Sequence, residues 1–269
     1  MDKKSMRKVY YCFPQGKHKV FTLSYDDGRC ADRRLIEIMN RHGIRGTFHL
    51  NAGLMGSHDR IPKEEVSTLY QGHEVAAHTY NHPTIARSPR EELIDQVMQD
   101  RKELEALVGY PVRGMSYPNG SYNQRIIEAL PHLGIEYSRV VGGHQTYQLP
   151  DNFYTWQATC HHNRQGIERA KEFVELHKTQ YLYMLYIWGH SYEFDNDDNW
   201  ETIEEICRIV GNQEDIWYAT NIEIVDYLKA LDRLQFNTER TQVLNASHLT
   251  LWLDVDGKKT MIQPGLNVL

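Results

Sequence analysis

The sequence predicts an α/β fold in which a largely parallel sheet is covered by helices. Two observations carry this expectation. Short apolar runs alternate with stretches of helical periodicity along most of the chain, and the alternation repeats about seven times before its character changes near Asn237. Seven repeats are enough for closure into a barrel; an open doubly wound sheet satisfies the periodicity almost as well.

Lys19 to Ser24 is read as a strand ending at the turn Asp26-Asp27-Gly28, and Ala31, Leu35, Ile38 and Met39 mark a helix that stops near Gly43. Gly46 to Leu50 is the next strand. A short helix follows Pro62, where Glu64-Glu65 suits a helix start, and His73 to Ala77 returns as a strand. Ser88-Pro89-Arg90-Glu91 has the pattern of a cap opening a long helix to about Val108. Val112 to Tyr117, Ile135 to Val140, Phe153 to Thr159, Leu182 to Trp188 and Ile216 to Ala219 are strand-like. The helical stretches Asn123 to Leu133, Arg164 to His177, Trp200 to Val210 and Ile222 to Leu234 fall between or after them. Beyond Asn237, short strands at Val243-Leu244, His248 to Val255 and Lys259 to Gln263, with Asp256-Gly257 as a hairpin turn, predict a small β appendage. The expected division is therefore a main domain over residues 1–237 and an appendage over 238–269.

Composition excludes several classes. Among 269 residues, 36 acidic side chains nearly balance 30 basic ones and no long Lys/Arg block appears, so no extended nucleic-acid face is expected. Cysteines at 12, 30, 160 and 207 lack CxxC spacing and are too sparse for a disulfide scaffold, which favours a reducing compartment. The N-terminal stretch is basic without an apolar h-region, and no segment approaches a membrane span. The expectation is a cytoplasmic protein with no membrane partner.

In β/α folds chemistry gathers at the C-terminal ends of the strands, and four polar clusters fall there: Asp26-Asp27, His78-Thr79-Tyr80-Asn81-His82, Arg113 to Gly120, and Gly189-His190-Ser191. Adjacent aspartates repel unless a cation or proton intervenes. His78 and His82 are four apart, so one helical turn would bring both imidazoles to one side. Two neutral imidazoles and one carboxylate form a common set of ligands for a hydrolytic metal ion, leaving the other aspartate free to act on water. His161-His162 has no spaced third ligand and suits a structural or solvent-facing role at least as well as a catalytic one.

On these residues the chain resembles the polysaccharide deacetylase family, the NodB-homology, carbohydrate esterase family 4-like metal hydrolases. Leu23-Ser24-Tyr25-Asp26-Asp27-Gly28 is similar to the family's T-F-D-D-G motif, and His78-Thr79-Tyr80-Asn81-His82 matches H-[ST]-x-x-H in full. Arg113 with Tyr117-Pro118-Asn119-Gly120 resembles the arginine-and-proline motif at a longer spacing, and Tyr186 to His190 resembles the late histidine motif. The resemblance implies a distorted (β/α) barrel of about seven strands. It further implies one divalent ion held by Asp27, His78 and His82, with Asp26 as general base, His190 as general acid and Arg113 tuning Asp26. Zinc is the first choice of ion, with cobalt or nickel able to occupy the same ligands. The carboxylate that should stand behind His190 has three candidates, Asp151, Glu193 and Asp195. The implied reaction removes an N-linked acetyl group from an amino sugar, oligosaccharide or glycoconjugate. A metal-dependent amidohydrolase of non-sugar amides is the alternative, and a non-catalytic carbohydrate-binding barrel a weaker one. Nothing in the C-terminal hairpin demands a contact between copies of the chain, although it could supply one.

Overall fold

The computed structural model describes residues 7–269; the first six residues of the basic N-terminal stretch lie outside the described residues. After a short strand β1 (Val9–Cys12), the fully buried β2 (Lys19–Asp26) opens the main sheet and leads into α1 (Asp32–Arg41). Then come β3 (Gly46–Leu50), α2 (Val66–Leu69), β4 (Glu74–Ala77), the long α3 (Arg90–Val108), β5 (Gly114–Ser116), α4 (Gln124–Ala129) and β6 (Tyr137–Gly143). The strand expected over Phe153 to Thr159 is shorter, β7 (Trp156–Ala158), and is followed at once by β8 (Cys160–His161). The rest of this layer is α5 (Gly166–Val174), β9 (Tyr183–His190), α6 (Glu193–Asn196), α7 (Trp200–Val210), β10 (Ile216–Tyr218) and α8 (Asn221–Asp232).

The strands pair in parallel and close on themselves. From β2 the ladder runs through β3, β4, β5 and β6 to β7 on one side, and through β9 to β8 on the other. β7 and β8 are two halves of one extended segment broken at Thr159: the first pairs with β6, the second with β9, and the Thr159 N–H donates to the Tyr186 carbonyl at 2.8 Å. The ring therefore has seven walls, the distorted (β/α) barrel expected from the sequence. The distortion sits in the break at Thr159 and in a register shift of β6 between Val140 and Gly143. β10 pairs only with Lys19 to Phe21, the first residues of β2. Strands buried on both faces need near-continuous apolar sequence, which is why Met184 to Trp188 carries no alternation.

Helix ends follow local chemistry. Asn123 caps α4 by accepting from the Ile126 N–H, and Thr220 and Glu223 form a reciprocal capping box on α8. Ser88 does not cap α3: Pro89 occupies that position with no side-chain bond. Among the described residues no helix is long and apolar enough to cross a membrane.

The C-terminal strands β11 (Gln235–Phe236), β12 (Gln242–Asn245), β13 (Leu251–Val255), β14 (Lys258–Ile262) and β15 (Gly265–Val268) form two small sheets, ordered β1-β13-β14 and β11-β12-β15. Asp256 and Gly257 make the hairpin turn, both with positive φ. Strand pairing does not divide at residue 237. β1 from the start of the chain and β11 from its main segment both pair with C-terminal strands, because each satisfies an edge the hairpin alone would leave open. Val243, Leu251 and Leu253 share a buried cluster with Tyr227 and Leu231 of α8 and with Trp156 and Tyr186 of the barrel.

Trp156 lies at the seam of the barrel, fully buried against Tyr137, Phe153 and Tyr186. Trp156→Ala should lower the unfolding free energy by about 3–5 kcal/mol in denaturant titration, the cost of a large unfilled core site; a loss below about 1 kcal/mol would show that the seam does not depend on it.

Candidate metal centre and active site

All the chemistry-bearing side chains that converge do so at the C-terminal rim of the barrel. Asp26 ends β2 and is paired in register with His49 of β3 and His190 of β9. Asp27 follows in a left-handed conformation, φ 83°, which turns its side chain away from the ladder while its N–H still bonds to the His49 carbonyl. Gly28, φ 62°, completes the turn.

The His78 to His82 segment is not helical. Thr79 (φ 64°) and His82 (φ 58°) reverse the backbone twice, and this loop, not a helical turn, brings the two imidazoles to a centroid separation of 4.8 Å. Buried groups hold it in place: Asp100 of α3 accepts from the backbone N–H of both His78 and Ala52, and the Asn51 amide donates to the carbonyls of His78 and Thr79. His78 Nδ1 meets the carbonyl and hydroxyl oxygens of Ser116 at 3.0 and 2.6 Å, leaving Nε2 to face Asp26 and Asp27 at 4.0 Å each. His82 Nε2 lies 3.7 Å from Asp27 Oδ1.

One ligand atom from each of Asp27, His78 and His82 falls within 4.8 Å of the others. This set fits a divalent ion. Asp27 Oδ1 is buried with no hydrogen-bond partner, a vacancy that is costly unless a cation fills it. Burial lowers the pKa of His78 to about 4, so its imidazole is neutral, as a ligand must be.

Asp26 is buried and ionised. Burial alone would raise its pKa, but the Arg139 guanidinium, with smaller help from His78, His49 and His190, holds it well below the usual carboxylate range. Arg139, on β6 and 1% exposed, crosses the barrel interior to bond Asp26 Oδ2, while Ser116 Oγ donates to Oδ1 at 3.0 Å. Arg139 Nε also donates to Ser24 Oγ at 3.2 Å, and its guanidinium lies 4.4 Å from the Trp188 ring centroid.

Arg113 does not reach Asp26. It precedes β5, at the opposite end from the rim, and donates two hydrogen bonds of 2.8 and 2.7 Å to Asp226 of α8. The rim position of β5 is taken by Ser116, whose register partner on β6 is Arg139. A serine there leaves room for the long side chain next door. The signal in the sequence was an arginine within the strand-like stretch Ile135 to Val140.

His190 has its carboxylate. Glu193 Oε1 lies 3.3 Å from His190 Nδ1, and Oε2 accepts the His190 backbone N–H at 2.9 Å. Asp195 instead accepts from the Trp200 indole, and Asp151 is exposed. His161, at the end of β8, joins the site unforeseen: its Nε2 is 3.0 Å from Glu193 Oε2. Its Nδ1 accepts the Asn163 N–H, which fixes Nε2 as the donor. Burial would raise the Glu193 pKa, but the bonds from His161 and His190 bring it far below its ordinary value. Burial pulls the His190 pKa down, yet Glu193 and the two aspartates outweigh it and leave it raised. His162 is structural, stacked between Tyr25 and Phe194 at centroid distances of 5.7 and 4.2 Å.

The larger cavities lie elsewhere. A groove of about 580 Å³ lined by Tyr10, Tyr11, Tyr147, Tyr181 and Tyr183 sits at the start of β9, the end opposite His190, and gathers no acids or histidines. The metal-ligand set opens to solvent through His82 and His190, whose side chains are about a quarter exposed.

Comparison with known proteins agrees with this arrangement. The family model for polysaccharide deacetylase matches residues 14–138. The peptidoglycan-N-acetylglucosamine deacetylase PgdA of Listeria monocytogenes is 25% identical over 120 residues, 44% of this chain and 25% of that protein. A chitin deacetylase of Pestalotiopsis sp is 27% identical over 115 residues, 42% of this chain and 39% of that one. The chain thus spans well under half the length of these curated relatives. Among solved structures, a polysaccharide deacetylase homologue from Mycobacterium smegmatis superimposes with a TM-score of 0.62 at 15% identity, covering 82% of this chain and 93% of that one, which shows the shared fold. The two sequence motifs that lie inside the matched stretch, Asp26-Asp27-Gly28 and His78 to His82, are brought together on that fold, and on them the likeness of this chain to the polysaccharide deacetylases rests.

Proposed function

We propose that this protein is a metal-dependent hydrolase that removes an N-linked acetyl group from an amino sugar or a short oligosaccharide. The observation that carries the reading is the convergence at one rim of an ionised buried aspartate, a three-ligand set and a carboxylate-backed histidine. The names of the relatives support an N-acetylated sugar as substrate. Asp27, His78 and His82 would hold the ion, zinc by preference, and when bound it supplies water made acidic enough to ionise near neutral pH and polarisation of the carbonyl.

The residues of the chain supply the proton transfers. Asp26 accepts the proton of the attacking water; its low pKa gives up basicity in exchange for complete ionisation at neutral pH. Ser116 and Arg139 fix the carboxylate from two directions, so that little reorganisation accompanies the transfer. As the C–N bond breaks, His190 delivers a proton to the departing nitrogen. With Nδ1 turned to Glu193, the donating atom is Nε2. Glu193 stabilises the charged imidazole, and His161 fixes Glu193. The products are acetate and a free amine.

Metal-stripped protein should release acetate from N-acetylhexosamine oligomers only after Zn²⁺ or Co²⁺ is restored. Asp26→Asn should keep its metal stoichiometry while kcat falls by about 10²-fold or more. Metal-independent release, or normal turnover in the variant, would remove the assignment. The two arginines should separate cleanly. Arg139→Gln strands a buried carboxylate and should cost about 3–5 kcal/mol of stability together with most activity. Arg113→Gln breaks a partly exposed pair and should cost about 1 kcal/mol or less with activity unchanged; denaturant melts and acetate assays on both variants decide it. The acid must carry its proton, so turnover should fall as pH rises through the His190 pKa, which lies above the ordinary histidine value. Glu193→Gln removes the group that raises it, and the alkaline limb of the kcat/KM profile should move to lower pH; an unmoved limb would dismiss His190 as the acid.

A further inference from the structure

Among the described residues, one cation at the rim of the site, Arg29, makes no side-chain hydrogen bond to the candidate ligands or to the barrel. Three arginines surround the aspartate pair. Arg139 donates to Asp26, Ser24 and the Val140 carbonyl, and Arg60 Nη1 donates to the Asp27 carbonyl and the Asn51 side chain and lies 3.7 Å from Asp27 Oδ1. Arg29 differs. Its guanidinium lies 3.7 Å from Asp27 Oδ2 and 3.8 Å from Asp59, within ion-pair range but without a side-chain hydrogen bond, and its Nε is buried and unpartnered.

Arg29 is nevertheless held in position. Its backbone pairs with Arg60 in an isolated bridge, and the following residue, Cys30, donates its N–H to the Asp59 carbonyl at 3.1 Å. The guanidinium sits over the Tyr192 ring at 4.8 Å, and that ring is 5.2 Å from the His190 imidazole. A pre-positioned, a quarter exposed guanidinium with free donors therefore stands one aromatic ring away from the acid and beside a metal ligand. The three arginines face Asp26, Asp27 and Asp59, so what this rim offers a ligand is the unused donors of Arg29 and not a surplus of charge. A carboxylate or phosphate would engage those donors through the guanidinium fork, which a neutral sugar cannot do with charge assistance.

We infer that the amino sugar turned over here bears an anionic group, a carboxylate or phosphate, close to its acetamido group, and that Arg29 binds it. This inference rests on the deacetylase reading and names its substrate class. The test compares kcat/KM of zinc-loaded protein on N-acetylglucosamine, N-acetylmuramic acid, N-acetylglucosamine 1-phosphate and N-acetylglucosamine 6-phosphate. The muramic acid and phosphate arms separate the two anion chemistries.

At least one anionic sugar should exceed the neutral one by about tenfold or more, the worth of one charge-assisted contact. Arg29→Gln should bring that ratio to near one, and Arg29→Lys should retain part of it. Equal rates on neutral and anionic sugars, or an Arg29→Gln loss of the same size on both, would overturn the inference, the second outcome making Arg29 part of the reaction itself. Calorimetric titration of zinc-loaded wild type and Arg29→Gln with glucosamine and glucosamine 1-phosphate does not depend on turnover. Phosphate-specific affinity that vanishes in the variant, with no sugar hydrolysed, would retain the anion site and reject the deacetylase. Hydrolysis without anion preference would do the reverse.

Discussion

The site is organised around the contact between Asp26 and Arg139. These residues lie on opposite walls of the barrel, β2 and β6, and both are buried, so the guanidinium crosses the interior to meet the carboxylate. Two charges taken out of water are stable only when their remaining donors and acceptors are satisfied, and here they are. Ser116 serves the carboxylate, Ser24 and the Trp188 face serve the guanidinium, and His49, kept neutral by burial at a pKa of about 3, meets Ser24 Oγ at 2.8 Å. Barrels of this kind fill their centre with apolar layers. Here the uppermost layer is polar, and it is continuous with the chemistry above it.

The three candidate metal ligands are held with unequal rigidity. His78 is fixed at its ring by Ser116 and at its backbone by Asp100 and Asn51, and all three of those residues are buried. Asp27 is secured through its backbone by the His49 carbonyl and by Arg60, which leaves the carboxylate free of direct hydrogen bonds. His82 rests on the loop geometry alone, with positive φ just before Pro83. Two of the three candidate ligands are thus held in place by the fold, and the third lies on the most exposed side.

The fold class was legible because barrel strands buried on both faces read as apolar runs, and the candidate ligands could be named because each belongs to a contiguous motif. What the chain did not disclose were partnerships between distant segments. Arg139 has no spacing relation to Asp26; only closure of the sheet puts them together, and the family match itself ends at residue 138. Glu193 stood among three candidate carboxylates, and its position one turn after His190 became decisive only once α6 was seen to start there. His78 and His82 obey helical spacing, but Thr79 and His82 take left-handed backbone instead, and a spacing of four cannot tell those geometries apart. β1 was missed because its partner among the described residues is β13, at the far end of the chain.

Pairing of β2 with β9 has a kinetic consequence. The two strands are joined along their whole length, yet more than half of the chain separates them in sequence. Contacts of such high order are entropically expensive and form late. During synthesis the β2 to β6 wall can therefore assemble with Asp26, Asp27, His78, His82 and Arg139 already in place while His190 and Glu193 are still unmade. On the proposed reading, docking of β9 would complete the barrel and add the candidate acid to the candidate metal ligands in one event.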